Sequence, residues 1–357
     1  MTKYIYVNGR FLCHKMDGIG RFSLEICKQL KKTDLKFKII IPNWLDYENK
    51  EGFEIVKFGS LKSHFWEQIN LLKFLNSEKN PLLVNLSGLG PLFYKNQIIT
   101  IHDLSFYENK KWFSKSYTTF YSFTTPIVAK NARKILSVSY FSKSEIIKHL
   151  QIKQEKIEVI YNAVSNDIKN EYASGLVNST DSFHINKNYI LAVCSIDPRK
   201  NLQRLIDAFS QLDLSDYVLV LVGKTSKHFN VDLKTNLENI IFTGFISDQE
   251  LSDLYKKCDF FIYPSLYEGF GIPPLEAMKN NCAVIVSDIP SLKEVCSDAA
   301  LYVNPYEVES IKNGMLKIIN DSALKKELKE KGNIRAEFFK WEYSGQKIYN
   351  LIKNITL

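Results

Sequence analysis

The sequence predicts an α/β protein made of two Rossmann-like domains, each a parallel sheet with helices on both faces. Three observations predict this. Short apolar runs alternate with longer amphipathic segments from end to end, the pattern of repeated β-α units. The runs are nearly continuous in Val, Ile and Leu, as strands buried on both faces must be. A polar stretch with little periodicity, residues 165–188, then interrupts the alternation near the middle.

In chain order, the first half offers strands at residues 4–8, 37–42, 54–58, 82–86, 97–102, 134–139 and 156–161. Amphipathic helices at 21–31 and 142–150 are the clearest of the segments between them. After the polar stretch, strands follow at 189–194, 217–223, 240–243, 259–264, 283–287 and 300–303. Ser247 with Glu250, and Ser291 with Glu294, fit the capping box, in which a hydroxyl and a carboxylate satisfy each other's orphan backbone N–H groups. The predicted domains are 1–170 with 341–357, and 180–340. Open parallel sheets bind ligands beyond the C-terminal ends of their strands, so the functional residues are expected there, in a cleft between the domains.

Composition narrows the function. The longest uncharged apolar runs are about eight residues, against the roughly twenty that cross a bilayer. The opening MTKYIYVNGRF reads as a strand and loop rather than a secretion signal, so a cytoplasmic protein is expected. Six cysteines lie far apart in sequence without a CxxC pair, which argues against a zinc site and for reduced thiols. The net charge of +8 is uneven: residues 1–180 hold 26 Lys and Arg against 16 Asp and Glu, and the remainder holds 21 against 23. A basic first half fits an anionic partner or a merely solvated lysine-rich surface. No nucleic-acid-binding module is recognisable, and the cations are scattered rather than set on one reading helix.

Several familiar chemistries fail on spacing. Gly18-Ile-Gly20-Arg21-Phe22-Ser23 begins as a dinucleotide fingerprint but has serine where the third glycine belongs. Gly223-Lys224-Thr225 imitates the end of a P-loop, but its leading glycine would fall on Val218. No Asp-x-Asp occurs, so the usual carboxylate pair that holds a metal against a nucleotide diphosphate is missing, and no metal or other cofactor is expected.

Three segments remain. Glu268-Gly-Phe-Gly-Ile-Pro-Pro-Leu-Glu276 follows a strand. Its glycines permit close backbone approach to a ligand, its prolines suit an opening helical turn, and a helix N-terminus favours a phosphate. It also fits an ordinary strand-turn-helix connection. Asp197-Pro198-Arg199-Lys200-Asn201 puts two adjacent cations at another strand end, placed for a diphosphate or simply for solvent. His102-Asp103 ends the strand 97–102, where a histidine could bond a sugar hydroxyl or only close the strand.

Together these residues resemble the retaining glycosyltransferases of family 4, whose two-domain fold is called GT-B. Residues 268–277, EGFGIPPLEA, resemble that family's E-x7-E motif; PRKN (198–201) resembles its diphosphate-binding strand end; GIGR (18–21) and His102-Asp103 resemble its glycine loop and histidine-bearing strand. Phe339-Lys-Trp341 with the helix after it resembles the GT-B tail that returns to the first domain.

The resemblance implies that Arg199 and Lys200 neutralise a donor diphosphate, assisted by backbone N–H groups of Gly18, Gly20, Phe270 and Gly271. It implies that Glu268 holds the transferred sugar, Glu276 the ribose, and Thr243, Gly244 and Phe245 flank the nucleobase. His102 would stand near the sugar and its developing charge. Many relatives carry an arginine near the place of Ser195, so one cation fewer is expected here.

The implied activity is retaining, metal-independent transfer of a hexose or deoxyhexose from a nucleotide diphosphate sugar to a glycan or lipid-diphosphate-linked acceptor in surface polysaccharide or O-antigen synthesis. A nucleotide-sugar epimerase or hydrolase, or a nucleotide-sugar-binding partner without turnover, stands as the alternative. Lys110, Lys111 and Lys115 beside Trp112 and Phe113 could rest on an anionic membrane at the cytoplasmic face, or the same aromatics could pack into the first domain's core.

Overall fold

The structure is a computed structural model that describes residues 4–13, 16–164, 179–193, 197–223 and 239–356. Ser195, Lys224 and Thr225 lie outside the described residues, as does most of the polar stretch. The chain divides into two units: one takes in residues up to Asn162 and from Trp341 onward, the other Ala163–Lys340.

The first unit holds β1 (Ile5–Asn8), β2 (Phe37–Ile41), β3 (Ile55–Lys57), β4 (Leu83–Asn85), β5 (Gln97–Ile101), β6 (Lys134–Ser137) and β7 (Ile157–Val159). They form one parallel sheet in the order β3-β2-β1-β4-β5-β6-β7. The second unit holds β8 (Asn188–Val193), β9 (Tyr217–Val222), β10 (Ile240–Gly244), β11 (Phe260–Tyr263), β12 (Val284–Ser287) and β13 (Leu301–Val303). These are parallel in the order β10-β9-β8-β11-β12-β13. In each sheet the chain winds outward one way and then the other, so the order reverses at one place: between β1 and β4, and between β8 and β11.

All thirteen expected strands form, most of them a residue or two shorter than the apolar runs. Central strands are buried on both faces: Val7, Ile39, Ile40, Val84, Ile98 and Ile99 are inaccessible in the first sheet, and Ile190, Leu191, Phe261 and Ile285 in the second. The trimmed residues, such as His102 and Pro264, have left the ladder and belong to the loops at the strands' C-terminal ends.

Helix ends follow side-chain chemistry. Ser247 and Glu250 make the expected capping box. Ser291 and Glu294 do not: the helix Pro290–Cys296 starts two residues earlier with Ile289 at its cap, and the Ser291 hydroxyl is buried with no hydrogen-bond partner. Proline at the first helical position has no N–H to cap, and its fixed φ sets the start.

Two other expectations are adjusted. Cys258 and Cys282, distant in sequence, meet with sulfurs 3.1 Å apart as buried free thiols. In the aromatic segment after β5, Phe106 is buried and Phe113 packs against the core, while Phe120 and Phe123 are exposed. No described helix is long and apolar enough to cross a membrane.

The terminal helix Trp341–Thr356 packs on the helix Gly18–Lys31 within the first unit. Ile348 and Ile352 are fully buried, and the Ser344 hydroxyl donates to the Tyr161 carbonyl at 2.7 Å. Gly345 makes this approach close: a methyl group there would stand 2.3 Å from Cβ of Gln29. Gly345→Ala therefore tests the packing by sign. Relieving helical glycine alone would stabilise by about 0.5–1 kcal/mol, whereas overpacking costs about 1–3 kcal/mol. A lowered melting temperature is expected, and a raised one would show that the two helices do not touch here.

Candidate functional site

In the second unit, Asp197 and the 3-10 turn Pro198–Lys200 come after β8 in the chain. Asp197 caps that turn, accepting from the Arg199 backbone N–H at 2.9 Å, and its second oxygen takes Nε and Nη2 of Arg199 at 2.9 and 2.7 Å. The guanidinium is thus held as a fork by its own neighbour. Lys200 reaches the other way. Its Nζ donates to Glu268 Oε1 at 2.5 Å and to the Tyr263 hydroxyl at 2.7 Å.

The Lys200 and Glu268 side chains are only 13% and 11% exposed. Burial alone pulls the Lys200 pKa down, but neighbouring Glu268 and Tyr263 overcome it and hold it above the ordinary lysine value. The Tyr263 phenol is pushed up by burial and then by Glu268. Lys200 is therefore a permanent cation and Tyr263 a permanent neutral hydroxyl. Of the ammonium's three donors, Glu268 and Tyr263 take two.

Asn201 was quoted in the motif without a role, and the structure supplies one. It sits in the left-handed region at φ 60° and is buried. Its amide nitrogen donates to the carbonyls of Pro264 at 3.0 Å and Pro305 at 2.7 Å, tying the β8 turn to the loop after β11. Leu266 N donates to the Arg199 carbonyl at 2.7 Å, a second tie between the same loops. No spacing rule could find these bonds, because they join segments more than sixty residues apart.

Gly271 caps the helix Ile272–Lys279 at φ 106°, a conformation that favours glycine. Phe270 is buried, its ring edge-on to Phe339 at 5.5 Å, so its side chain anchors the loop. Glu276, one turn into the helix, accepts from the buried Tyr255 hydroxyl at 3.2 Å. Burial and then Glu276 push that phenol well above its ordinary value, which keeps it a donor. Thr243, Gly244 and Phe245 end β10 at the sheet edge, one strand beyond β9 and apart from the Lys200 cluster. Space for a side chain is open at Gly244, and Phe245 is 67% exposed.

In the first unit, the Gly20 N–H does not await a ligand as expected. Asp17 caps the helix Gly18–Lys31 and its Oδ1 takes that N–H at 2.8 Å. A carboxylate at an N-terminus satisfies the donors a phosphate would use. Gly18 opens the same helix and is exposed. His102 follows β5, edge-on to Phe22 at 5.2 Å. Its Nε2 lies 2.9 Å from the Leu86 carbonyl, which can only accept, so Nε2 carries the proton and Nδ1 is the lone-pair nitrogen. Burial lowers the His102 pKa, against the opposing Leu86 carbonyl and the charges of Asp103 and Asp17.

The comparisons with known proteins bear on this arrangement. Residues 16–167 match the family Glycosyltransferase Family 4, and residues 180–335 match Glycosyl transferases group 1. The O-antigen chain mannosyltransferase RfbU of Salmonella typhimurium is 31% identical over 317 residues, 82% of this chain and 84% of that protein. The chain belongs to glycosyltransferase family 4.

O-antigen chain mannosyltransferase B of Escherichia coli is 27% identical to this glycosyltransferase, over 95% of this chain and 97% of its own. Among solved structures, Anabaena Alr3699/HepE in complex with UDP and glucose superposes with a TM-score of 0.75 at 16% identity, covering 99% of this chain and all of that one. WaaG, a glycosyltransferase involved in lipopolysaccharide biosynthesis, gives 0.74 at 17%, covering 98% and 99%. The fold is GT-B.

The glycosyltransferase's lowered histidine pKa has a consequence for acid stability. The unfolded chain binds a proton at His102 near the ordinary value of about 6.5, before the folded protein does. This residue's contribution is thus complete above about pH 6.5 and is lost as pH falls below it. Stability measured from about pH 7.5 to 5 should fall less steeply in His102→Gln than in wild type. Equal slopes, or an Nδ1–H tautomer by imidazole nitrogen NMR, would remove the assignment.

Proposed function

We propose that this glycosyltransferase moves a hexose or deoxyhexose from a nucleotide diphosphate to a hydroxyl of a glycan or lipid-linked acceptor, with retention at the anomeric carbon and without a metal. The observation that carries the reading is the contact among Lys200, Tyr263 and Glu268 where the second sheet reverses its strand order, the place at which such sheets bind nucleotides. The mannosyltransferase names of its relatives support a role in O-antigen or other surface polysaccharide synthesis.

In this reading Glu268 holds the hydroxyls of the transferred sugar, and Lys200 and Arg199 lie against the diphosphate. Backbone N–H groups of Phe270 and Gly271 assist, Glu276 takes the ribose hydroxyls, and Thr243, Gly244 and Phe245 flank the base. Both cations are already balanced by carboxylates, so the diphosphate gains directed hydrogen bonds more than net charge. Stabilising the leaving group by fixed donors is the work a metal does in other transferases. The bond from the anomeric carbon to the phosphate oxygen breaks, the acceptor oxygen bonds on the same face, and its proton passes to the departing phosphate.

Glu268→Gln leaves Lys200 an oxygen acceptor, so the variant should fold and still bind nucleotide while transfer falls about 100-fold or more. Lys200→Met leaves Glu268 buried and unpaired, a cost of about 3–5 kcal/mol, and should weaken both fold and donor binding. A donor at 100 times its Kd should add about 2.7 kcal/mol to wild-type stability. Wild-type rates in both variants, or inverted product configuration by proton NMR, would sink the reading.

We also infer contact with an anionic membrane through the first unit. Lys130, Arg133, Lys134, Lys153 and Lys156 line a shallow cavity of about 500 Å³ in which Glu155 is the one acid, and Phe93 stands 73% exposed in the loop before β5. Clustered cations suit an anionic lipid surface, and an exposed aromatic on the same unit suits its interface. Flotation should require anionic lipid and weaken with salt, and binding indifferent to both would reject it.

A further inference from the structure

The first sheet has its own reversal of strand order, between β1 and β4, and the Lys200 cluster belongs to the other sheet. What lies there is a polar network. Asn8 ends β1, and its Nδ2 donates to Asn85 Oδ1, at the end of β4, and to Glu67 Oε1, both at 2.9 Å. Asn85 in turn donates to Gln97, and Gln97 to the carbonyls of Pro91 and Tyr94. The layer beneath the strand ends is thus hydrogen-bonded throughout and fully buried at Asn8, Glu67, Asn85 and Gln97. Such networks are rigid when satisfied.

Glu67 lies on a widened π-helical turn, Trp66–Leu71, a feature frequent at functional sites. Its second oxygen holds Arg10 Nη1 at 2.5 Å, and His64 Nδ1 lies 3.2 Å from the same oxygen. Arg10 also packs beside Gly88 and comes 3.0 Å from His64 Nδ1. The outer layer is only partly covered: the Arg10 and His64 side chains are 16% and 27% exposed. The Tyr121 hydroxyl stands 3.5 Å from His64 Nε2. The Phe120 ring is 4.7 Å from the imidazole and 38% exposed.

We propose that this cluster is a saccharide-binding subsite, in which Arg10, His64 and Tyr121 bond the hydroxyls of the acceptor and Phe120 covers an apolar face of its ring. The proposal rests on the glycosyltransferase reading and gives the acceptor a chemistry. Glu67 cancels the charge of Arg10, so a phosphate gains no net attraction here. An uncharged hydroxyl, able both to donate and to accept, fits the planar fork, the imidazole and the phenol together. Ligand sites of this kind combine an apolar wall with a few convergent polar groups.

Saturation-transfer NMR with methyl α-mannoside, methyl α-rhamnoside and methyl α-glucoside tests it on the full chain, with inorganic phosphate as competitor. Arg10→Ala would strand a buried carboxylate, so Arg10→Lys, which keeps the charge but loses the fork, is paired with Tyr121→Phe, which keeps the ring. At least one glycoside is expected to bind wild type, with affinity lowered about tenfold in each variant. Binding of UDP or GDP should be unchanged in both.

Glycoside binding indifferent to both substitutions, displacement by phosphate, or no glycoside bound by a protein that does bind nucleotide each overturns the subsite. A protein that binds glycoside in this manner but no nucleotide would instead overturn the donor reading and leave the subsite standing.

Discussion

The ammonium of Lys200 meets the carboxylate of Glu268 at 2.5 Å across 68 residues of sequence, at the point where the second sheet reverses its strand order. It exists because β8 and β11 are neighbours although the chain visits β9 and β10 between them. A parallel sheet covered on both faces has no room for polar groups along its strands, so they collect where the strands end. At a reversal of strand order, two such ends open side by side with their helices leading in opposite directions. Asn201 and the backbone of Leu266 then tie the two loops together, so the charge pair is held by the fold rather than by two flexible side chains.

Both units use the same device with different partners. The second sheet puts a lysine, a tyrosine and a glutamate at its reversal point; the first puts an arginine, a histidine and a buried glutamate at its own. In each, a cation paired with a carboxylate is partly exposed above a hydrogen-bonded base. The carboxylates set the electrostatics: neither cluster is a bare pool of positive charge. Both differ from the basic cavity lined by Lys130, Arg133, Lys134, Lys153 and Lys156, where Lys134 and Lys156 donate to the backbone carbonyls of Glu155 and Lys130.

The strands were legible because their apolar runs have no other place to go than the middle of a sheet. The motif at 268–276 was legible because glycine and proline have few uses, and Gly271 at φ 106° with prolines following shows them in use. Ser247 capped its helix as its spacing implied; Ser291 did not, since Pro290 had already begun the helix. Asp17 went unread because a single aspartate before glycines has no distinguishing spacing, yet it takes the N–H that a phosphate would have used. Tyr263, Tyr255 and Asn201 went unread for a different reason: their partners are far away in sequence.

The sequence by itself determined two parallel α/β sheets, the order of their strands along the chain, and the loops that carry Arg199, Lys200, Glu268 and His102. Those follow from local causes, namely periodicity, turn residues and the burial that apolar runs demand. Tertiary structure alone decided which distant charges meet, that Lys200 turns to Glu268 and that Arg10 finds Glu67. These contacts join segments far apart in the chain, and no local rule of spacing contains the packing that brings them together.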